Sequence, residues 1–139
     1  MYDKLKRFYH FLETLPERLY PFASEIEGRW ERGINSYKST LEKAKEKYGE
    51  GKHGYRIIMY RSTWHVFGSI IFLILATIIS ERLFGHEIAL YIMVGIAIVL
   101  IFLQEFFSHT KRYDQLPYKS FLDWFTWAIP MLFYVFFIY

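Results

Sequence analysis

The 139-residue chain contains no cysteine, which excludes disulfides, thiolate metal sites and cysteine nucleophiles. It has no glycine loop with phosphate-cradling spacing: Gly49-Glu50-Gly51 is followed by Lys52, and the short spacing suits a helix terminator and linker instead. The five histidines include no pair three or four residues apart, so a histidine-rich di-iron site cannot be built. Met1–Arg29 meets a charged residue every few positions, so no cleaved signal peptide is expected and the first apolar run would serve as a signal anchor. Internal repeats and low-complexity tracts are absent, and a net charge of +3 is too diffuse to indicate nucleic acid.

What the chain does contain is segregated. Of the 17 Lys and Arg, 13 precede Trp64, together with nine of the 14 acidic residues. The remaining 76 residues hold three apolar runs, Trp64–Ser80, Ile88–Phe107 and Phe121–Tyr139, each about long enough to cross a ~30 Å hydrocarbon core as a helix. These runs predict an all-α integral membrane protein, with a membrane domain over 55–139 and spans over about 64–84, 87–109 and 120–139. The loops set its orientation through the excess of cytoplasmic basic charge. Lys111, Arg112 and Lys119 fall between the second and third runs, whereas the first turn offers Arg82 against Glu81 and Glu87. The expected topology is multi-pass, with a cytoplasmic N-terminus and the C-terminus on the opposite side, in either a bacterial inner or an organellar membrane. Trp64, Tyr91, Tyr113, Tyr118, Trp124 and Tyr139 would then anchor at the interfaces. Gly85 suits the left-handed residue that closes a helix, and Pro130 predicts a kink in the third span.

Residues 1–54 read as a cytoplasmic amphipathic helical region. A first helix over about 2–20 carries Tyr2, Leu5, Phe8, Tyr9 and Leu12 on one side; Pro16 and Pro21 separate it from a second over about 24–48. Ser24-Glu25-Ile26-Glu27 fits a capping box, after which Ile26, Trp30, Ile34, Tyr37, Leu41, Ala44 and Tyr48 recur at spacings of four and three. Glycines over 49–54 form a joint. One helix cannot bury such a stripe on itself, so the expected partners are the lipid bilayer and a protein partner or second copy, met through Ile26, Trp30, Ile34, Tyr37 and Leu41.

These features favour a small non-enzymatic accessory, anchoring or assembly subunit of a membrane complex, with no cofactor. The alternative is a metal-, haem- or proton-handling protein. His65, Glu105, His109 and Asp123 would lie at similar depth at the cytoplasmic ends of the spans, and Glu105 and His109 share a helix face. No metal is favoured, since interfacial water is within reach and Asp123 can instead serve a capping box begun by Ser120. His65 and His109 as haem ligands would need two imidazoles at matching depth. An oligomeric channel is the third reading, with only Ser69, Thr77, Thr126 and the Pro130 break as polar lining.

Overall fold

The computed structural model describes residues 2–85, 87–113 and 115–139, without the side chains of Arg112 and Tyr113. The expectations placed on those two side chains, and on His86 in the first turn, lie outside the described residues. The chain divides into two compact units, Met1–Ile58 and Met59–Tyr139.

In the first unit, α1 runs from Tyr2 to Arg18 and continues two residues beyond Pro16 before it stops. The helix expected over 24–48 is corrected to a hairpin followed by a shorter helix. Strand β1, Ser24–Ile26, pairs antiparallel with β2, Arg29–Glu31, with Glu25 opposite Trp30. Its two-residue turn, Glu27-Gly28, has φ of 50° and 78°. Positive φ at both central residues matches the right-handed twist of a hairpin, and Gly28 adopts it without a Cβ penalty. Ser24 therefore caps nothing: its hydroxyl lies 2.9 Å from that of Ser36 and 3.2 Å from that of Thr40.

Helix α2 begins only at Ile34, after Gly33, whose φ is 67° and where a Cβ would come within 2.9 Å of the Arg18 carbonyl oxygen. It ends at Tyr48, and the N–H of Gly49 donates to Lys45 O, as expected of a glycine-terminated helix. Tyr37 of α2 packs edge-to-face on Tyr20, which also meets Phe22. Ser36 donates to Phe22 O at 2.6 Å, joining the helix to the segment before β1.

Three helices are long and apolar enough to cross a membrane: Tyr55–Phe84, Glu87–His109 and Pro117–Phe137. The first comprises α3, Tyr55–Ile79, which widens into a π-helical turn at Ser80–Phe84. It starts nine residues before the apolar run because residues 55–63 hold no proline or glycine to stop it. Gly85 closes it in the left-handed conformation, φ 62° and ψ 21°, with its N–H on Ser80 O, as its position foretold. The second comprises α4, Glu87–Leu103, and a further π-helical turn at Gln104–His109; the short α5, Thr110–Tyr113, follows. The third, α6, starts at Pro117 rather than 120, because proline suits a first helical position where no N–H partner is required. It continues through Pro130 to Phe137.

Leu73 and Ala76 of α3, Leu90 and Val94 of α4 and Met131 of α6 form the buried core of the second unit. Large side chains such as Ile71, Ile92, Ile96, Leu100 and Phe136 remain exposed, the arrangement that suits lipid as the surrounding solvent. Two contacts bring α3 and α6 together. The Trp127 ring lies where a Cβ on Gly68 would be, at 2.1 Å, and it stacks on His65 at 5.6 Å. Ser69 donates to Trp127 O at 2.8 Å, supplying a neighbour's hydrogen bond beside the Pro130 break.

Gly68→Ala should therefore destabilise the detergent-solubilised protein by about 1–3 kcal/mol, because the stacked Trp127 ring has to shift. Gly95→Ala, where nothing lies within 4 Å, should be neutral or stabilising by up to about 1 kcal/mol. Thermal melts of the two variants, side by side, check the contrast.

Candidate functional site

The four ionisable residues singled out at the ends of the spans come together at one end of the second unit, and two further side chains, Lys119 and Gln115, join them. Asp123, two turns into α6, is fully buried. One of its oxygens accepts from the ammonium of Lys119, one turn earlier on the same helix, and faces His65 Nδ1 of α3 at 3.5 Å. Its other oxygen lies 3.5 Å from Gln115 Nε2. Gln115 also donates to Glu105 Oε2 at 3.2 Å, and that carboxylate oxygen meets His109 Nδ1 at 3.0 Å. The result is a connected polar chain, His109–Glu105–Gln115–Asp123–His65, with members from all three spanning helices and the loop before α6.

Local backbone geometry makes this possible. The π-helical turn at Gln104–His109 alters the helical register, and the carbonyl of Glu105 is bonded from the side by Ser120 Oγ at 3.0 Å and Thr110 Oγ1 at 3.3 Å. Such turns insert a residue into a helix and are frequent at functional positions. A second tie across the same helices is Trp124 Nε1 donating to Ile98 O at 3.2 Å. On α6, Thr126 donates its single hydroxyl hydrogen to Asp123 O at 2.9 Å, so at 3.1 Å from His65 Nδ1 it acts as an acceptor. His65 accordingly carries its proton on Nδ1, directed at Thr126 and Asp123.

Charge is nearly balanced inside the cluster. Glu105 and Asp123 contribute two negative charges, Lys119 one positive, and Arg61 acts electrostatically on both His65 and Lys119. These four charged groups sum to zero, the condition under which a low-dielectric site retains ionised groups.

No family model, curated protein or solved structure matches this chain.

Metal and haem chemistry gain little from the geometry. Among the described residues no group of three or more His, Asp or Glu side chains could hold a metal ion. Both ring nitrogens of His109 are engaged, Nδ1 by Glu105 and Nε2 by Gln104 at 3.3 Å, which leaves neither directed at a porphyrin. The capping role expected of Asp123 is corrected: α6 starts three residues before Ser120, so Asp123 lies inside the helix and serves as the partner of Lys119.

Lys119 itself is the residue that sequence reasoning misplaced. Counted as a loop cation, it is completely buried. The signal available was Pro117 at a helix start, which carries the helical register back far enough to set Lys119 and Asp123 four apart on one face. Gln115 had no such signal, since its reach to both carboxylates depends on the fold of the loop.

The five residues expected to form a partner-binding stripe are dispersed. Ile26 lies half-buried on β1, Trp30 on β2 is 72% exposed, Ile34 and Leu41 are half-buried on α2, and Tyr37 is 4% exposed.

Replacing Asp123 by Asn leaves the Lys119 ammonium buried without its counter-charge, and the expected loss is about 3–5 kcal/mol. The paired replacement Lys119→Met with Asp123→Leu should recover most of it. A double-mutant cycle on detergent melting curves measures the coupling; additive single effects would contradict the pairing.

Proposed function

We propose that this chain is a small non-enzymatic accessory, anchoring or assembly subunit of a membrane complex, engaging a protein partner through its N-terminal region. The observation that carries this reading is α1. Tyr2, Leu5, Phe8, Tyr9 and Leu12 fall on one side of that helix and all are exposed; no residue of the helix is buried. This amphipathic helix of 17 residues is marginal in water without something to cover its apolar face. Along its length Lys4, Lys6, Arg7 and Arg18 are offset by Asp3, Glu13 and Glu17, so attraction to anionic lipid is weak. A helix seated in an apolar protein groove supplies the missing burial. Trp30, exposed on the hairpin, adds a second aromatic anchor of the kind that dominates interface energetics.

The same reading sets the N-terminal region on the cytoplasmic side and the C-terminus opposite. Removing buried Lys119 from the loop charges leaves Lys111 and Arg112 beside the 13 basic residues before Trp64, against Arg82 in the first turn. The balance still points the same way.

Leu5→Glu combined with Phe8→Glu should weaken capture of the stoichiometric partner roughly thirtyfold for each ~2 kcal/mol of anchor energy removed. The variant should remain in the membrane fraction. Quantitative mass spectrometry of the tagged protein, purified from native membranes in mild detergent, measures both. An unchanged set of co-purifying proteins would exclude α1 as the docking element.

A second reading, proton handling, draws support from the unbroken polar chain between His109 and His65. It is tested by acid-driven flux in liposomes. On this reading Asp123→Asn abolishes flux, whereas flux that is absent from the native protein or unaltered in the variant removes it.

A further inference from the structure

The opposite end of the three-helix unit has a different character. Between α3 and α6 lies a cavity of about 440 Å³, walled by Ile70, Ile74, Ile78, Pro130 and Phe133, with one polar feature, the hydroxyls of Thr77 and Tyr134 at 3.2 Å from each other. Its volume falls in the range of about 300–1,000 Å³ typical of ligand sites. From Ile70 to Ile78 the groove follows α3 for eight residues, or about 12 Å at the helical rise.

Hydrogen bookkeeping at the hydroxyl pair points to an occupant. Two hydroxyls bring two hydrogens, and the Thr77–Tyr134 bond uses one. Among the described residues no acceptor takes the other. Elsewhere on the same helix Thr63 directs its hydroxyl to the carbonyl four residues back, at 2.9 Å; Thr77 does not. A hydroxyl hydrogen without an acceptor in hydrocarbon costs several kcal/mol, so what fills the groove must bring an acceptor oxygen.

Depth identifies which oxygen. Thr77 is seven residues, about 10 Å, from the end of its helix at Phe84, and Tyr134 is three residues from the end of α6 at Phe137. For helices whose ends lie among the lipid headgroups, that level falls where interface gives way to hydrocarbon, the depth at which a glycerolipid carries its ester carbonyls above its acyl chains. We propose that the groove is a binding site for one glycerolipid, its ester carbonyl accepting from the Thr77–Tyr134 hydroxyl pair and its acyl chain lying along Ile74, Ile70 and Phe133 beside Pro130. The site is independent of the polar cluster and of α1.

The test compares a diacyl phosphatidylcholine with its dialkyl ether analogue, which has the same chains and headgroup but no carbonyl. The full-length protein is exchanged into equimolar mixtures of the two in mild detergent, and bound lipid is counted by native mass spectrometry. Native protein should retain one lipid per chain, with about a fivefold preference for the ester, the effect of a single hydrogen bond. Thr77→Val with Tyr134→Phe, which keeps both shapes, should erase the preference while leaving the melting temperature near native. Ile74→Trp, which adds a large ring to the groove's lining, should lose the lipid altogether. Equal retention of ester and ether by native protein, or a preference that survives the hydroxyl-free variant, would overturn the assignment.

Discussion

A buried carboxylate on a membrane-spanning helix organises the second unit of this protein. Asp123 cannot be hydrated where it lies, and an isolated ionised group in such surroundings is prohibitively expensive. Its neighbours follow from that constraint. Lys119 is one turn away because α6 begins at Pro117. Gln115 folds back from the preceding loop to reach both carboxylates, and His65 approaches from α3 with its protonated nitrogen toward Asp123. Attraction between helices in lipid gains nothing from hydrophobic burial, so hydrogen bonds and close packing of this kind have to hold the spans in register.

The packing around the cluster belongs to the same solution. Gly68 has no side chain where the Trp127 ring passes, and that ring stacks on His65. Ser69, the next residue, bonds the Trp127 carbonyl three residues before Pro130. Thus the polar end of the unit is tightly filled, whereas the other end is apolar and retains a groove between α3 and α6. A mechanism needing polar groups through the whole bilayer would find only the Thr77–Tyr134 pair along that groove.

The N-terminal unit shows how an apolar period can mislead. Ile26, Trp30, Ile34, Tyr37 and Leu41 keep a helical spacing, but Gly28 and Gly33 interrupt them, and both adopt positive φ. Strand pairing between Ser24–Ile26 and Arg29–Glu31 satisfies backbone groups that a helix would otherwise bond, so the first two members of the stripe leave the helix. Tyr37 is then drawn inward onto Tyr20, and the exposed apolar face belongs to α1. Local turn chemistry outweighed periodicity because two glycines remove the steric penalty for leaving the helix.

Much of the architecture was legible in the chain: the segregation of charge before Trp64, the three apolar runs, the helix stop at Gly49 and the left-handed closure at Gly85 are properties of local composition and backbone freedom. His65, Glu105, His109 and Asp123 could also be named in advance, since an ionisable residue within or just beyond an apolar run stands out in any reading. Only the tertiary structure decided that these four share one network, that Lys119 is its buried counter-charge rather than a loop cation, and that Gln115 bridges the carboxylates. Those outcomes depend on the π-helical turn at 104–109, on the path of the loop before Pro117 and on the close approach of α3 to α6 at Gly68. Distances between residues far apart in sequence are set by packing, which no local spacing encodes.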